Sequence, residues 1–165
     1  MITTDTHIFF LKEWLSNFRK CEIILNNNTF NNTEQMFMFH KALFFEDIEI
    51  AEKILKTPTP YKAKALGRQV RGYVDEEWSK VRYDIMLQAN LCKYYQNDNL
   101  RAKLLATGDK ILVEVNPRDK IWGIGMDENN PNIYDETKWN GLNLLGKVLM
   151  DVRKAIRKNP NIVTN

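Results

Sequence analysis

The chain has 165 residues, 44% of them hydrophobic and 27% charged, a balance that fits one ordinary globular domain and excludes disordered and fibrous classes. Lys and Arg number 24 against 21 Asp and Glu, leaving a formal charge of +3. That excess is too small for a dedicated polyanion binder, although a local basic groove is compatible with it. The apolar run Ile8–Leu11 is far too short for a signal core or a membrane span. Cys21 and Cys92 have no second Cys or His at ligand spacing, which argues against a zinc motif and a disulfide framework. The expectation is a reducing, cytoplasmic setting, with no metal, no cofactor, no membrane contact and no obligate protein partner.

Residues 1–32 read as short strands and turns. Cys21–Leu25 is β-prone, Asn26-Asn27-Asn28 supplies a turn, and Thr29-Phe30 begins the return strand. Thr33 is the expected cap of a helix over about 34–45, and a second helix follows Asp47 and stops before Pro58. Pro60 suits the first turn of a short helix closed by Gly67. Asp75 is the expected cap of a long helix to about Tyr95, and Asp98 of the next one. Ile111–Val115 reads as a strand. Residues 117–138 read as a long Asn-, Asp- and Gly-rich loop, a length that usually belongs to a site. A last helix is expected over about 140–158. The fold class is α+β, one mostly helical domain with a small β-sheet.

The helix after Thr33 carries the most information. Glu34-Gln-Met-Phe-Met-Phe-His-Lys41-Ala-Leu-Phe-Phe45 is apolar on nearly every side, the mark of a core helix. Glu34 and Lys41, seven residues apart, share one stripe. A buried carboxylate and ammonium are costly unless paired or facing a polar cleft. The plainer alternative puts Glu34 in a dipole-favoured first turn and lets Lys41 snorkel to water. A second constellation, Asn116-Pro-Arg-Asp119-Lys-Ile-Trp122-Gly123-Ile-Gly125, follows the expected strand, where a rigid edge can present a carboxylate. As a dinucleotide fingerprint it fails, because no third glycine or helix follows on schedule. Trp78 shares a helix face with Arg82, which gives either an aromatic platform beside a cation or a core tryptophan. Gly67-Arg68 is a helix end that suits phosphate and solvent equally. No nucleophilic triad can be assembled around Ser16.

Taken in order, these pieces resemble one family. Trp14-Leu-Ser16-Asn17-Phe18, Phe30-x-x-Thr33-Glu34-Gln-Met-Phe-x-x-x-Lys41-Ala42, Leu66-Gly67-Arg68, Trp78 and Arg82 are followed by Leu104-Leu105-Ala106-Thr107-Gly108, Leu112-Val113-Glu114, Asp119-x-x-Trp122-Gly123-x-Gly125 and Gly141-x-Asn143-x-Leu145-Gly146. The whole is similar to the YbiA-like, or NADAR (NAD- and ADP-ribose-associated), domain over about residues 8–157 of a single domain, 1–165. The resemblance implies an N-glycosidase that hydrolyses the ribose C1′–N bond. Its substrate is either a phosphoribosylaminopyrimidine intermediate of riboflavin synthesis or ADP-ribosylated guanine, so the partner is a small ribosylated molecule or modified nucleic acid. The family's functional positions carry over to Glu34, Trp78 and Asp119, and Lys41 is intact as well. The expected catalytic residues are Glu34, Lys41 and Asp119, either as a Glu34–Asp119 carboxylate pair or with Lys41 forming a Schiff base with a ring-opened sugar. Asn17, Phe18, Arg68, Trp78, Arg82, Trp122, Gly123 and Asn143 are the expected substrate contacts. The chain departs from the family in its insert, Asp127–Lys138. Lys12, Arg19, Lys62, Lys64, Arg71 and Lys80 are candidate contacts if the substrate is nucleic acid. The rival reading is a non-catalytic module that binds ADP-ribose or a nucleotide, for which carboxylates beside the anomeric carbon would be superfluous.

Overall fold

The computed structural model describes residues 1–161. In chain order its elements are β1 (Ile2–Thr3), β2 (His7–Phe10), β3 (Ile23–Leu25), β4 (Asn28–Phe30), α1 (Thr33–Phe44), α2 (Ile48–Leu55), α3 (Pro60–Gly67), α4 (Asp75–Gln96), α5 (Asp98–Ala106), β5 (Ile111–Glu114) and α6 (Leu144–Lys158). The α+β class with small sheets and a helical majority is what the sequence leads one to expect. Two compact units emerge, one of Met1–Ser16 with Ala102–Pro160 and one of residues 17–101. The expected domain bounds 1–165 include residues 162–165, which lie outside the described ones.

The first unit is built on a three-stranded sheet of order β1-β2-β5. β1 runs antiparallel to β2, with Ile2 opposite Phe9. β2 and β5 are parallel, His7 opposite Ile111 and Phe10 opposite Glu114. Parallel neighbours need a long crossover, and here residues 11–110 supply it. Phe9, Val113, Val115, Ile124, Met126 and Ile133 form its buried core. Ile133 belongs to a 3₁₀ turn, Pro131–Tyr134, so the loop and insert expected over 117–138 are in part a core-contributing element. Apolar anchoring of Ile133, with the Trp139 indole donating to its carbonyl at 2.8 Å, explains the order.

The last helix starts at Leu144, later than the expected residue 140. The backbone amides of Asn140, Leu142, Asn143, Leu144 and Leu145 donate instead to the carbonyls of Ile124, Lys120, Gly123, Ile121 and Trp122. Those bonds satisfy donors that a helix start leaves without partners. Asn143 takes the left-handed conformation at φ 51° just before the helix, which asparagine tolerates well.

The second unit is organised by α1, which packs against α2, α3 and α4. Its residues Thr33–Phe39 and Ala42 are buried, as the all-round apolar sequence requires. The N-cap is Asn32, whose Oδ1 accepts from the Gln35 amide at 2.8 Å. Thr33, the expected cap, is the first helical residue instead. Asp47 caps α2 as expected, and Pro60 opens α3 behind a Thr59 cap. Asp75 is already the first residue of α4, whose cap position is Val74 with no side-chain bond. β3 and β4 form the expected hairpin, with a turn of Asn26-Asn27 alone because Asn28, expected in the turn, opens β4; both turn residues have positive φ, 50° and 62°. A two-residue turn with both centres at positive φ matches strand twist, and asparagine accepts that geometry.

Candidate active site

α1 places Glu34 in its first turn and Lys41 in its last. Glu34 is buried, 6% exposed, and its backbone amide donates to the Asn17 carbonyl at 3.1 Å. Asn17 is thus a strut for the start of α1. Its own side chain accepts from Asn90 and donates to the Met86 sulfur. Lys41 does not snorkel. It is half-buried, and Nζ donates to the Gly67 carbonyl at 2.9 Å. That carbonyl ends α3, where helix geometry leaves oxygens without partners and the dipole favours a cation. The approach of α1 to α3 depends on Gly67, because a Cβ there would stand 2.0 Å from the Met38 sulfur.

Aromatic rings wall the Lys41 ammonium. Nζ lies 4.4 Å from the Tyr73 ring centroid and 5.8 Å from that of Trp78. Trp78 packs against Phe37, Phe44 and Phe45 at 5.3, 6.1 and 6.2 Å. Its burial, at 6% exposed, makes it core and cage wall together, so the two readings of Trp78 converge. Burial is the main force that lowers the Lys41 pKa below the ordinary lysine range. Arg68 adds to the lowering, while the Glu34 and Asp75 carboxylates push the other way. Arg82 acts on the Tyr73 hydroxyl, and its Nε is buried without a hydrogen-bond partner among the described residues. One small region of the second unit therefore holds Glu34, Lys41, Arg68, Trp78 and Arg82. Phe18 stands edge-on to Tyr61 at 5.0 Å with the Lys64 ammonium over its face.

Tyr73, Asp75 and the Gly67 carbonyl are members of this region that the sequence did not single out. Asp75 drew notice only as a helix cap, and Tyr73 lies in an irregular stretch with no periodicity to mark its facing. The Tyr73 hydroxyl donates to Asp75 Oδ1 at 2.6 Å. Of the candidate nucleic-acid contacts, Arg71 is committed elsewhere. Its Nε and Nη2 donate to the Asp47 carboxylate.

The remaining candidates belong to the first unit. Asp119 Oδ1 accepts from the amides of Ile121 and Trp122 at 2.9 and 2.8 Å, which builds the turn ahead of Gly123. A Cβ on Gly123 would meet the Glu114 carbonyl oxygen at 2.9 Å, so the residue is needed for close backbone packing. Asn143 bridges to β5, its Oδ1 accepting from the Glu114 amide and its Nδ2 donating to the Leu112 carbonyl. Among the described residues, no three His, Cys, Asp or Glu side chains gather to hold a metal ion. None of the described helices is long and apolar enough to cross a membrane.

A model of the NADAR domain matches residues 4–157. The chain is 42% identical over 152 residues to a protein of Acanthamoeba polyphaga mimivirus named as an N-glycosidase, covering 90% of this chain and 86% of that one. It is 34% identical over 155 residues to one of Nostoc punctiforme with the same designation, covering 91% and 92%. The NMR structure of the E. coli protein YbiA matches with a TM-score of 0.76 and 30% identity, over 98% of this chain and 92% of that one.

Proposed function

From the premise that this chain belongs to the NADAR domain family, and that it is an N-glycosidase like the relatives it matches nearly end to end, we propose that it cleaves the ribose C1′–N bond of a ribosylated base through Lys41. The observation that carries this reading is the setting of the Lys41 amine. Burial lowers its pKa, and a helix-end carbonyl holds it at 2.9 Å. A carboxylate from the same helix acts on it. An amine with a lowered pKa holds a larger share of its neutral, nucleophilic form at any given pH.

A proton delivered to the ring oxygen opens the sugar, and Lys41 Nζ adds to C1′. The base nitrogen departs with the proton that Nζ gives up, leaving a Schiff base between Lys41 and C1′. Water then hydrolyses the imine, releasing the sugar as ribose 5-phosphate or ADP-ribose and regenerating the amine. Glu34 supplies or receives the proton and holds negative charge beside the cationic sugar. Asp119 keeps a supporting catalytic role in the reading. Trp78 stacks the base, and Arg68 and Arg82 face phosphate. Phe18 and Asn17 order the entrance and the start of α1, while Trp122, Gly123 and Asn143 shape the segment behind Asp119.

Residues 1–165 act as one domain in this reading. The protein works in the cytoplasm, where ribosylated nucleotides arise and where its two buried cysteines stay free thiols. The test is incubation with a phosphoribosylaminopyrimidine and, separately, with ADP-ribosylated guanosine in single-stranded DNA. Borohydride trapping and mass spectrometry complete it. Sugar release from one substrate, with a reduced adduct on Lys41, is the expected result. Tight binding with both substrates intact would make the protein a binding module.

A further inference from the structure

The two rings facing the Lys41 ammonium are held very differently. Trp78 is buried and wedged among three phenylalanines. Tyr73 is 42% exposed, stands against Phe45 at 5.4 Å, and is steadied by its hydroxyl bond to Asp75. Its backbone follows Gly72, at φ 73°. The stretch is pinned on both sides, by the Arg71–Asp47 pair before it and by the start of α4 after it. The ring nearest Nζ is thus the one with least packing to lose.

A sugar carbon must come within about 3–3.5 Å of Nζ, along the direction of a lone pair, for a bond to form. The Tyr73 face, centred 4.4 Å from Nζ, occupies one such approach. It also stabilises the ammonium, which has no lone pair to give. The other charged groups acting on Lys41 are Glu34 and Asp75, which favour the ammonium, and Arg68, which opposes it. Arg82 acts on the Tyr73 hydroxyl.

We propose that Tyr73 is the gate of Lys41, a positioning residue whose ring caps Nζ in the resting protein and turns aside about Gly72 to admit the ribosyl group. The gate rests on the reading of Lys41 as nucleophile. Binding and activation are then one event. The arriving sugar displaces the face that holds the ammonium, and the amine that remains is both uncovered and easier to deprotonate.

The experiment treats the full chain with ribose 5-phosphate and cyanoborohydride. The open-chain aldehyde condenses with the amine, water leaves, and hydride from the reductant fixes the imine as a secondary amine, which peptide mass spectrometry locates. Tyr73→Ala labels Lys41 about tenfold faster than the unaltered protein, the size of a lost cation–π contact of roughly 1.4 kcal/mol. Tyr73→Phe, which keeps the face and loses the steadying hydroxyl bond, labels at a rate well below that of Tyr73→Ala. Exposed Lys62 labels equally in all three and serves as the internal standard. Equal Lys41 labelling in Tyr73→Ala and the unaltered protein overturns the gate, as does a Tyr73→Phe rate as high as that of Tyr73→Ala. No Lys41 adduct in any variant, with Lys62 labelled, overturns the gate and the nucleophile together. Faster labelling in Tyr73→Ala without sugar release from any N-ribosyl substrate leaves the gate standing and overturns the glycosidase reading alone.

Discussion

Lys41 and Lys93 sit in the same helical unit, both pushed below the ordinary lysine range by burial, in surroundings that share little else. Lys93 is fully buried on α4, its pKa lowered to about 8, with Cys21 acting on it and the Tyr94 ring 5.0 Å away. Lys41 is half-buried, held by a helix-end carbonyl and acted on by two carboxylates and an arginine. Desolvation alone makes a perturbed base. A reacting base also needs a route for substrate and charges placed where the reaction develops them. Lys41 is only half-buried and has Glu34, Asp75 and Arg68 acting on it, whereas Lys93 is fully enclosed.

The comparison breaks most sharply at the two lysines themselves. Lys41→Ala loses turnover on the order of 10⁴-fold, as loss of a covalent nucleophile does, while Lys93→Met stays within about twofold. Steady-state rates on the trapped substrate read both, and the reverse ranking would transfer the nucleophile to Lys93. Glu34→Gln comes next, with turnover down about 10²–10³-fold, the worth of one general acid–base group. In the unaltered enzyme kcat/KM rises with pH through an ionisation below 10.5, since burial holds Lys41 under that value. A limb at or above 10.5 would show an ordinary solvated lysine.

A smaller effect separates the lysines by stability. The Lys93 pKa is about 8 folded and about 10.4 unfolded. Below pH 8 both states are protonated and the folded one bears the full cost of a buried ammonium. Between 8 and 10.4 the folded state alone releases its proton, so the unfolded state binds more protons and stability rises with pH. Lys93→Met is expected to stabilise by about 1–3 kcal/mol at pH 7, with the gain shrinking towards pH 10 in urea titrations. The smallest effect concerns the strap that ends in Tyr73. Arg71 holds the Asp47 carboxyl well below the usual range, so its contribution is present above about pH 4 and fades as pH falls through the folded value. Asp47→Asn removes that acid dependence and lowers Tm by a few degrees, as loss of part of a cap does. Thermal melts at pH 3 and 7 measure it.

Much of this was legible from residue order. Seven-residue spacing put Glu34 and Lys41 on one stripe, and an all-round apolar sequence buried that helix. Asn26-Asn27 announced its hairpin. Thr33, Asp75 and Asp98, the expected caps, are each the first helical residue instead; Asn32 takes the amide that Thr33 would have capped, and Val74 fills the cap position of α4 without a side-chain bond. Ile133 looked like part of a loop, since a single apolar residue among Asn and Asp gives no periodicity. Tyr73 carried no signal for the same reason.

The order and spacing of its short motifs carried the resemblance to the family. The helical character, the shared Glu34–Lys41 stripe and the absence of metal-ligand spacing around the cysteines follow from local periodicity and composition, which act over a few residues. Only the tertiary structure decided that Lys41 meets the carbonyl of Gly67 and the face of Tyr73, 26 and 32 residues further along the chain. Those meetings depend on how α1 packs against α3 across a glycine with no room for a methyl group, and packing of that kind is set by shape between elements, which linear spacing does not encode.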